Sequence, residues 1–465
     1  MGDHATAVQL YNQGVKSAAD RSSPSYLQHA FQQFCSAMNA DPEWGTAAYQ
    51  CGNNASDLNH FHAAIACWRR ALECELPDIT PLDVQDASRA KVLCNLGWRL
   101  ESLGATEEAL KITLEACRVD PALAFSWCNL GIIQGRMGQL EESVKSARKA
   151  FELNPEHAVI EMAYAFALLF NRNLADGFKH FESRWEYKLK NFLHYPYPRW
   201  EGETGKTLFL VSDQGLGDTL SMCRFLRKVC ERSQYVHASV HPELLRLLQY
   251  SLIDVQNLNL LPQPCNFPAA DAWTTFVSLP FALGLTDDEI RNQPQIKFDA
   301  PRTNAKAWKV EGRKLHIGIC WRGSALNETN EQRSVPVTQF LDLYRVPGIQ
   351  LYSLQVDNNR QQMHDMGCAP VIKDLAGYIR DASDTCAILK DLDLVIGIDS
   401  ALGHICSLAR KEYWCAYAYL ARDYRIGFDG TDQLWSNYKV FLQEPDMSWQ
   451  KVFDRMVEEL RERVK

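Results

Sequence analysis

The chain has 465 residues, of which 23% are charged, and a formal net charge of -8. A chain of this length is too large for one hydrophobic core and predicts two to four domains. The negative charge and the lack of a lysine- or arginine-rich block argue against nucleic acid as a partner, because phosphate binding needs a basic surface. The sequence shows neither an apolar signal-peptide core nor about eighteen uninterrupted apolar residues, so we expect a cytoplasmic protein without a membrane span.

The fifteen cysteines are scattered singly, and no two are spaced as Cys-x-x-Cys. Zinc sites commonly show that spacing, and disulfide frameworks are typical of short secreted chains. We therefore interpret the cysteines as reduced, small apolar residues inside a protein core.

The first half of the chain contains an internal repeat. Residues 94–121 align with residues 128–155, and Leu, Gly, Gly, Ala and Pro recur at the same positions 34 residues later. This period and pattern resemble the tetratricopeptide repeat, a helix–turn–helix unit. Small residues such as Gly97 and Ala116 let the two helices approach closely, and Pro121 stops the second helix.

Weaker copies flank this pair, one of them around Gly52 and Trp68. We predict an α-helical tetratricopeptide solenoid over residues 1–190, followed by a linker over residues 191–205. Stacked repeats form a concave face that commonly binds peptides, so we expect this domain to recruit a protein or peptide partner. The alternative is that the array only packs on its neighbouring domain.

From residue 206 onwards, short β-rich runs alternate with helical stretches. Near-continuous apolar runs followed by helices are typical of parallel sheets with both faces covered. A Pro- and Asn-rich stretch around residue 300 interrupts the alternation, which predicts two Rossmann-like lobes, residues 206–300 and 301–465. Ligands of such folds bind in a cleft at the carboxyl ends of the strands.

Two strand-end loops, one in each predicted lobe, contain candidate site residues. The first reads Asp-Gln-Gly-Leu-Gly-Asp and contains Gly215, Gly217 and Asp218. It does not complete the G-x-G-x-x-G dinucleotide motif, because the third glycine position is Leu220. The second, Asp-Ser-Ala-Leu-Gly-His over residues 399–404, opens a helix whose free N–H groups would suit a diphosphate.

Several stretches, among them "DQGLGDTL", "ICWRGS" and "DYRIGFDGTDQLW", resemble a bacterial family that joins tetratricopeptide repeats to a glycosyltransferase. The second half is similar to the ADP-heptose:lipopolysaccharide heptosyltransferases of glycosyltransferase family 9. The architecture is more distantly similar to that of protein O-GlcNAc transferases. The resemblance implies an α/β GT-B fold after the solenoid, with two lobes and a cleft between them.

In the family that the chain resembles, an aspartate after the first glycine loop is the proposed catalytic base, and Asp218 matches it. The resemblance assigns further residues to nucleotide-sugar binding: Gly215, Gly217, Trp321, Arg322, Ser324, Arg333, Gln355, Asp399, Ser400, Gly403 and His404. The chain departs from the family pattern at two of its positions. Ala401 replaces the glycine that follows the serine in the family. Gln355 carries an amide near the position where the family has an acidic residue that contacts the nucleoside. We therefore do not extend the ADP-heptose donor to this chain.

Some of these residues have structural alternatives. Asp218 could be the N-cap of the helix that follows, and Asp399 could hydrogen-bond within its turn. Trp321 could stack on the nucleotide base or fill the core. Asp384 is expected to be the N-cap of its helix, because it directly precedes an apolar run.

The resulting hypothesis is an inverting, metal-independent glycosyltransferase that uses a nucleotide-diphosphate sugar as co-substrate and no cofactor. Asp218 would accept the proton of the acceptor hydroxyl, and Arg333 with the N–H groups around Gly403 and His404 would stabilise the leaving diphosphate. The solenoid favours a protein acceptor. The alternative is a repeat scaffold with a non-catalytic transferase half. A nucleotide-sugar epimerase or dehydrogenase is disfavoured by the incomplete glycine motif.

Overall fold

The structure, a computed structural model, describes residues 3–21, 25–77, 87–189, 195–292, 296–300, 308–324, 330–419 and 422–464. The chain divides into two compact units, which are Met1–Asn171 with His180–Lys190, and Arg172–Lys179 with Asn191–Lys465. Within the described ranges, no helix has the length and apolar character needed to cross a lipid bilayer.

The first unit consists of helices that pack in sequence order. Neighbouring helices pair, and each pair also packs on the next pair, which is the arrangement of a helical solenoid. Its elements are α1 (His4–Ala19), α2 (Tyr26–Ala40), α3 (Gly45–Asp57), α4 (Phe61–Glu73), α5 (Arg89–Ser102), α6 (Thr106–Val119), α7 (Ala124–Arg136), α8 (Leu140–Leu153), α9 (Ala158–Phe170), the end of α10 (Leu174–Phe181) and a π-helical turn, Trp185–Leu189. The predicted N-terminal solenoid is confirmed.

Glycines on the first helix of several pairs allow the close helix packing that the repeat pattern predicts. A Cβ atom on Gly52 of α3 would lie 2.5 Å from Nε1 of the buried Trp68 on α4. A Cβ atom on Gly131 of α7 would lie 3.1 Å from the backbone of α8. Ala116 on α6 is fully buried, and Pro121 follows the end of α6 as predicted.

The second unit contains two parallel β-sheets with helices between most of the successive strands. The first sheet has the strand order β3-β2-β1-β4. Its region comprises β1 (Thr207–Val211), α11 (Leu216–Met222), α12 (Leu226–Arg232), β2 (Tyr235–Val240), α13 (Pro242–Ser251), β3 (Leu258–Pro262), β4 (Ala272–Thr275), α14 (Leu279–Ala282) and α15 (Asp287–Asn292).

The second sheet has the strand order β10-β9-β8-β5-β6-β7. Its region comprises β5 (Leu315–Cys320), α16 (Asn330–Arg333), a 3-10 helix (Val337–Arg345), β6 (Ile349–Ser353), α17 (Gln361–Asp365), β7 (Ile372–Asp374), α18 (Ala382–Leu389), β8 (Leu394–Ile398), α19 (Ala401–Leu408), β9 (Tyr413–Tyr417), β10 (Tyr438–Leu442) and α20 (Trp449–Val464). The α/β prediction for the second half is confirmed. β6, β8 and β9 are buried along their whole length, as continuous apolar runs indicate.

The cysteines behave as the sequence predicts. All fifteen are free, and all except Cys35, Cys74 and Cys265 are buried. Burial raises the pKa of most of the buried thiols, for example that of Cys94 to about 11, so these groups stay protonated and serve as small apolar side chains.

We expect Gly52→Ala to lower the free energy of unfolding by about 1–2 kcal/mol. The added methyl group forces Trp68 to move, and overpacking costs about 1–3 kcal/mol. The better helix propensity of alanine returns less than about 1 kcal/mol. Gly377→Ala is the control, because a Cβ atom there meets nothing within 4 Å. Chemical denaturation measures both variants, and equal stability of Gly52→Ala and the unmodified chain would contradict the packing argument.

Candidate functional site

The structure brings the two glycine-containing loops of the sequence together. The first follows β1 and leads into α11, and the second follows β8 and leads into α19. A Cβ atom on Gly217 of α11 would lie 3.4 Å from Cδ2 of His404 and 4.0 Å from Cα of Ala401, both on α19. The loops at the carboxyl ends of two different sheets therefore adjoin, at the location where parallel α/β folds bind ligands.

Asp218 lies at the centre of this junction. It is the third residue of α11, and Gly215 occupies the N-cap position. The backbone N–H of Gly215 donates to Oδ2 of Asp218 at 3.1 Å, which is the backward hydrogen bond of a capping box. The predicted N-cap alternative is therefore corrected: Asp218 supports the helix start from its first turn. No described residue hydrogen-bonds to the other carboxylate oxygen, Oδ1.

The surroundings of Asp218 favour its protonated form. The side chain is exposed at the surface of the junction, yet protein surrounds it on several sides. Desolvation by this surrounding protein raises the pKa of Asp218 to about 7, and the carboxylates of Asp423 and Asp213 act in the same direction. The Gly215 N–H lowers the pKa and only partly offsets them. A carboxyl group with a pKa near neutrality can accept or release a proton at physiological pH.

Asp399 anchors the second loop. It is buried, its Oδ1 lies 2.5 Å from Nη2 of Arg425 and accepts a hydrogen bond from the hydroxyl of Tyr438 at 3.3 Å. Nη1 of Arg333 lies 3.7 Å from its Oδ2. Because its oxygens face two guanidinium groups, Asp399 acts as the charge partner of its neighbours, in agreement with the structural alternative.

His404 is oriented by a tryptophan. The indole Nε1–H of Trp435 donates to Nδ1 of His404 at 3.2 Å, and the His404 ring is buried. Burial, with a smaller contribution from Arg425, holds the pKa of His404 well below its usual range. A neutral ring that accepts at Nδ1 carries its proton on Nε2, and Nε2 lies on the side that faces Gly217. His404 therefore presents a hydrogen-bond donor to the junction.

Gly403 allows close packing of α19. A Cβ atom there would lie 2.6 Å from Cε2 of Tyr438, so only glycine lets α19 approach β10 this closely. Its N–H already donates to the carbonyl of Ser400 at 3.0 Å, which corrects the prediction of a free N–H group at this position. The hydroxyl oxygen of Ser400 is buried without a hydrogen-bond partner among the described residues, near the Cys320 thiol and the Tyr413 hydroxyl.

Two predicted nucleotide-binding residues, Trp321 and Gln355, belong to the framework at the ends of β5 and β6. Trp321 is fully buried and its Nε1–H donates to Gln362 at 3.1 Å, so it fills the core and has no face for a base. The Gln355 amide is directed inward. Its Oε1 accepts hydrogen bonds from the backbone N–H groups of Trp321 at 3.3 Å and Arg322 at 3.2 Å. Its Nε2 donates to the Arg322 carbonyl at 3.0 Å and to Asp357 at 2.8 Å.

The remaining predicted residues, Arg322, Ser324 and Arg333, follow β5 in the chain. Arg333 ends α16 and directs its guanidinium toward Asp399, as described. The side chain of Arg322 forms an ion pair with Glu331. Ser324 is exposed.

The segment between β9 and β10 supplies further residues of the candidate site, which the predicted nucleotide-sugar-binding set did not include. Arg425 is buried and pairs with Asp399 and Asp432, and the carboxylate of Asp423 raises the pKa of Asp218. Trp435 orients His404. The many charged and aromatic residues of this loop were visible in the sequence and could have indicated a role in the site. Their individual roles could not be predicted, because their partners lie on distant segments of the chain.

Two further observations concern the cap of α18 and a possible metal site. The N-cap of α18 is Asp381, which accepts hydrogen bonds from the backbone N–H groups of Ser383 and Asp384. Asp384 lies in the first turn and pairs with Arg246 of α13, so the predicted N-cap is wrong by three positions. Over the described ranges, no three His, Cys, Asp or Glu side chains are arranged to hold a metal ion.

A family model for the tetratricopeptide repeat matches residues 126–157. Among curated proteins, the chain is 22% identical to Protein FlbA of Caulobacter vibrioides over 337 residues, which cover 67% of this chain and 56% of FlbA. It is 26% identical over 148 residues to the probable UDP-N-acetylglucosamine–peptide N-acetylglucosaminyltransferase SPINDLY of Hordeum vulgare, covering 32% of this chain and 15% of that protein.

Among solved structures, MamA from Desulfovibrio magneticus RS-1 overlaps 42% of this chain and 99% of its own, with 18% identity and a TM-score of 0.32. The chain spans about half the length of FlbA and a much smaller part of SPINDLY. It thus contains tetratricopeptide repeats and is similar in part to a protein named as a glycosyltransferase.

Proposed function

We propose that this chain is an inverting glycosyltransferase that moves a sugar from a nucleotide-diphosphate sugar to an acceptor hydroxyl. The observation that carries the proposal is the position of Asp218, a carboxyl group with a pKa of about 7 at the junction of two strand-end loops. The two parallel sheets with adjoining carboxyl-end loops support a GT-B arrangement, with lobes at residues 206–300 and 301–465.

Asp218 is the general base of the proposed reaction. Its Oδ1, to which no described residue is hydrogen-bonded, accepts the proton of the acceptor hydroxyl while the hydroxyl oxygen attacks the anomeric carbon. The bond from that carbon to the diphosphate oxygen breaks, and its electron pair leaves with the nucleoside diphosphate. A single displacement of this kind inverts the configuration of the anomeric carbon.

The leaving diphosphate gains negative charge, which the second loop is equipped to stabilise. The guanidinium of Arg333 lies beside Asp399, and the Nε2–H of His404 faces the loop of Gly217. Donors of fixed orientation stabilise charge without reorganising during the reaction. We propose that these groups perform this task without a metal ion.

The similarity to SPINDLY suggests UDP-N-acetylglucosamine as the first donor to test, with a peptide hydroxyl as acceptor. Tetratricopeptide solenoids commonly bind peptides, so the first unit is proposed to recruit the acceptor protein.

A scaffold without catalytic activity is the alternative proposal. The burial of Trp321 and the inward hydrogen bonds of Gln355 and Gly403 support it, because these groups have no free contact for a nucleotide. The two proposals differ in what they predict for Asp218.

Asp218→Asn is expected to reduce sugar transfer by about 10²–10⁴-fold, because an amide cannot accept the proton. In the unmodified chain the rate should rise with pH through about 7, as Asp218 loses its proton. Transfer is measured with a labelled donor. Asp254→Asn, at an exposed residue paired with Arg227, is the matched control. Full activity of Asp218→Asn excludes Asp218 as the base.

Asp218 should also make stability depend on pH, whether or not the chain is an enzyme. Its folded pKa of about 7 exceeds the usual unfolded value of about 3.9 for aspartate, so the free energy of unfolding falls as pH rises between these values. Asp218→Asn removes this cost and should raise the melting temperature more at pH 8 than at pH 5.5. An equal shift at both pH values would refute the raised pKa.

Nucleotide binding is tested by thermal shift with UDP-, GDP-, ADP- and CMP-sugars. A ligand at 100 times its Kd stabilises by about 2.7 kcal/mol, so one nucleotide should raise the melting temperature clearly. Arg333→Gln should lose this shift because it removes the proposed diphosphate contact, whereas Arg227→Gln should retain it. No shift with any nucleotide sugar would count against the transferase and favour the scaffold.

A further inference from the structure

Helix α10 starts in the second compact unit and ends in the first. Residues Arg172–Lys179 belong to the second unit, although α9 before them and His180 after them belong to the first. Residues of this segment contact the loop between β9 and β10. They also contact α15, the short helix that follows β4 and α14. Through these contacts, the segment that follows α9 is connected to the loop beside the candidate site.

Arg172 holds one part of the β9–β10 loop. Its Nη2 lies 3.1 Å from each carboxylate oxygen of Asp429 and donates to the hydroxyl of Thr431 at 2.6 Å. Its own carbonyl accepts a hydrogen bond from Arg291 of α15. Arg172 has a φ of 65°, a left-handed conformation that non-glycine residues rarely adopt without support from surrounding contacts.

Phe178 holds another part of the same loop. Its ring is buried and meets the ring of Tyr424 edge to face, with the ring centroids 5.9 Å apart and an interplanar angle of 90°. The carbonyl of Tyr424 accepts a hydrogen bond from Gln433 at 2.7 Å, which fixes the backbone at this point. Arg172 and Phe178 together therefore fix the loop at two positions.

The loop carries one of the charges that act on the candidate base. Asp423 and Arg425 flank Tyr424, and the carboxylate of Asp423 raises the pKa of Asp218. Asp213 after β1 and Asp399 after β8 act on Asp218 in the same direction, while the Gly215 N–H opposes them. The ring of His404, which Trp435 of this loop orients, also faces the junction. A displacement of the loop would move Asp423 relative to Asp218 and thereby change its contribution to the pKa of Asp218.

We infer that Arg172 and Phe178 are positioning residues of the Asp218 site, which they influence by holding the β9–β10 loop with Asp423 in place. The segment Arg172–Lys179, which follows α9, thus supports the Asp218 site. The catalytic meaning of this role rests on the proposed function, but the structural role does not.

The test uses the full-length chain and measures the protonation of Asp218 without any substrate. A carbodiimide with an amine nucleophile modifies protonated carboxyl groups, and peptide mass spectrometry follows the rate at Asp218 from pH 5 to 9. In the unmodified chain the rate should fall with a midpoint near pH 7. Asp423→Asn removes the neighbouring charge and should move the midpoint to lower pH.

Phe178→Leu should move the midpoint in the same direction as Asp423→Asn. A decrease of one pKa unit slows modification at pH 7 about five-fold, because the protonated fraction falls from about one half to about one tenth. Phe181→Leu is the matched control on the same helix, since Phe181 packs against Phe166 in the first unit at a centroid distance of 5.5 Å. It should leave the midpoint unchanged.

Arg172→Gln tests the inference at a half-exposed residue whose replacement leaves the hydrophobic core intact. It should lower the midpoint with unchanged circular dichroism. Wild-type midpoints in both Phe178→Leu and Arg172→Gln overturn the inference, and so does a wild-type midpoint in Asp423→Asn. Shifted midpoints in a chain that transfers no sugar uphold the positioning role and reject only the proposed reaction.

Discussion

The site depends on the two buried ion pairs of Arg425. Its guanidinium pairs with Asp399 after β8 and with Asp432 before β10, and thereby connects two loops of the second sheet. Removing one partner of a buried ion pair costs about 3–5 kcal/mol, because the other charge stays uncompensated. Asp432 in turn accepts the backbone N–H of Trp435 at 3.0 Å, and the indole of Trp435 orients His404. One cation therefore fixes both the charge and the donor geometry of the second loop.

The parts of the fold that sequence predicted are those specified by local patterns. A 34-residue period and continuous apolar runs are visible within a single segment, so the solenoid and the buried strands β5, β6, β8 and β9 could be recognised. Strands β3 and β10 are partly exposed along their length, and their mixed patterns gave no such signal. The cap of α18 was misplaced because Asp381 and Asp384 both precede the same apolar run.

The candidate site was predictable only where a general rule applies. Parallel strands direct their carboxyl-end loops to one edge, which is why residues 213–218 and 399–404 were identified together. Whether a side chain faces that edge or the core depends on contacts across the sheet. Trp321 and Gln355 turn inward, toward partners that lie more than thirty residues away in the chain. Asp423 and Trp435 act through such distant partners too, so their roles became visible only in the fold.

The two glycines of the junction differ in the room around them. A Cβ atom on Gly403 would lie 2.6 Å from Cε2 of Tyr438, so the packing of α19 on β10 has no space for a side chain there. A Cβ atom on Gly217 would lie 3.4 Å from Cδ2 of His404, which is an ordinary van der Waals distance. The first loop therefore has room for a methyl group at position 217, whereas the second loop has none at position 403. The same residue type thus places a strict steric limit on one side of the junction and a loose one on the other.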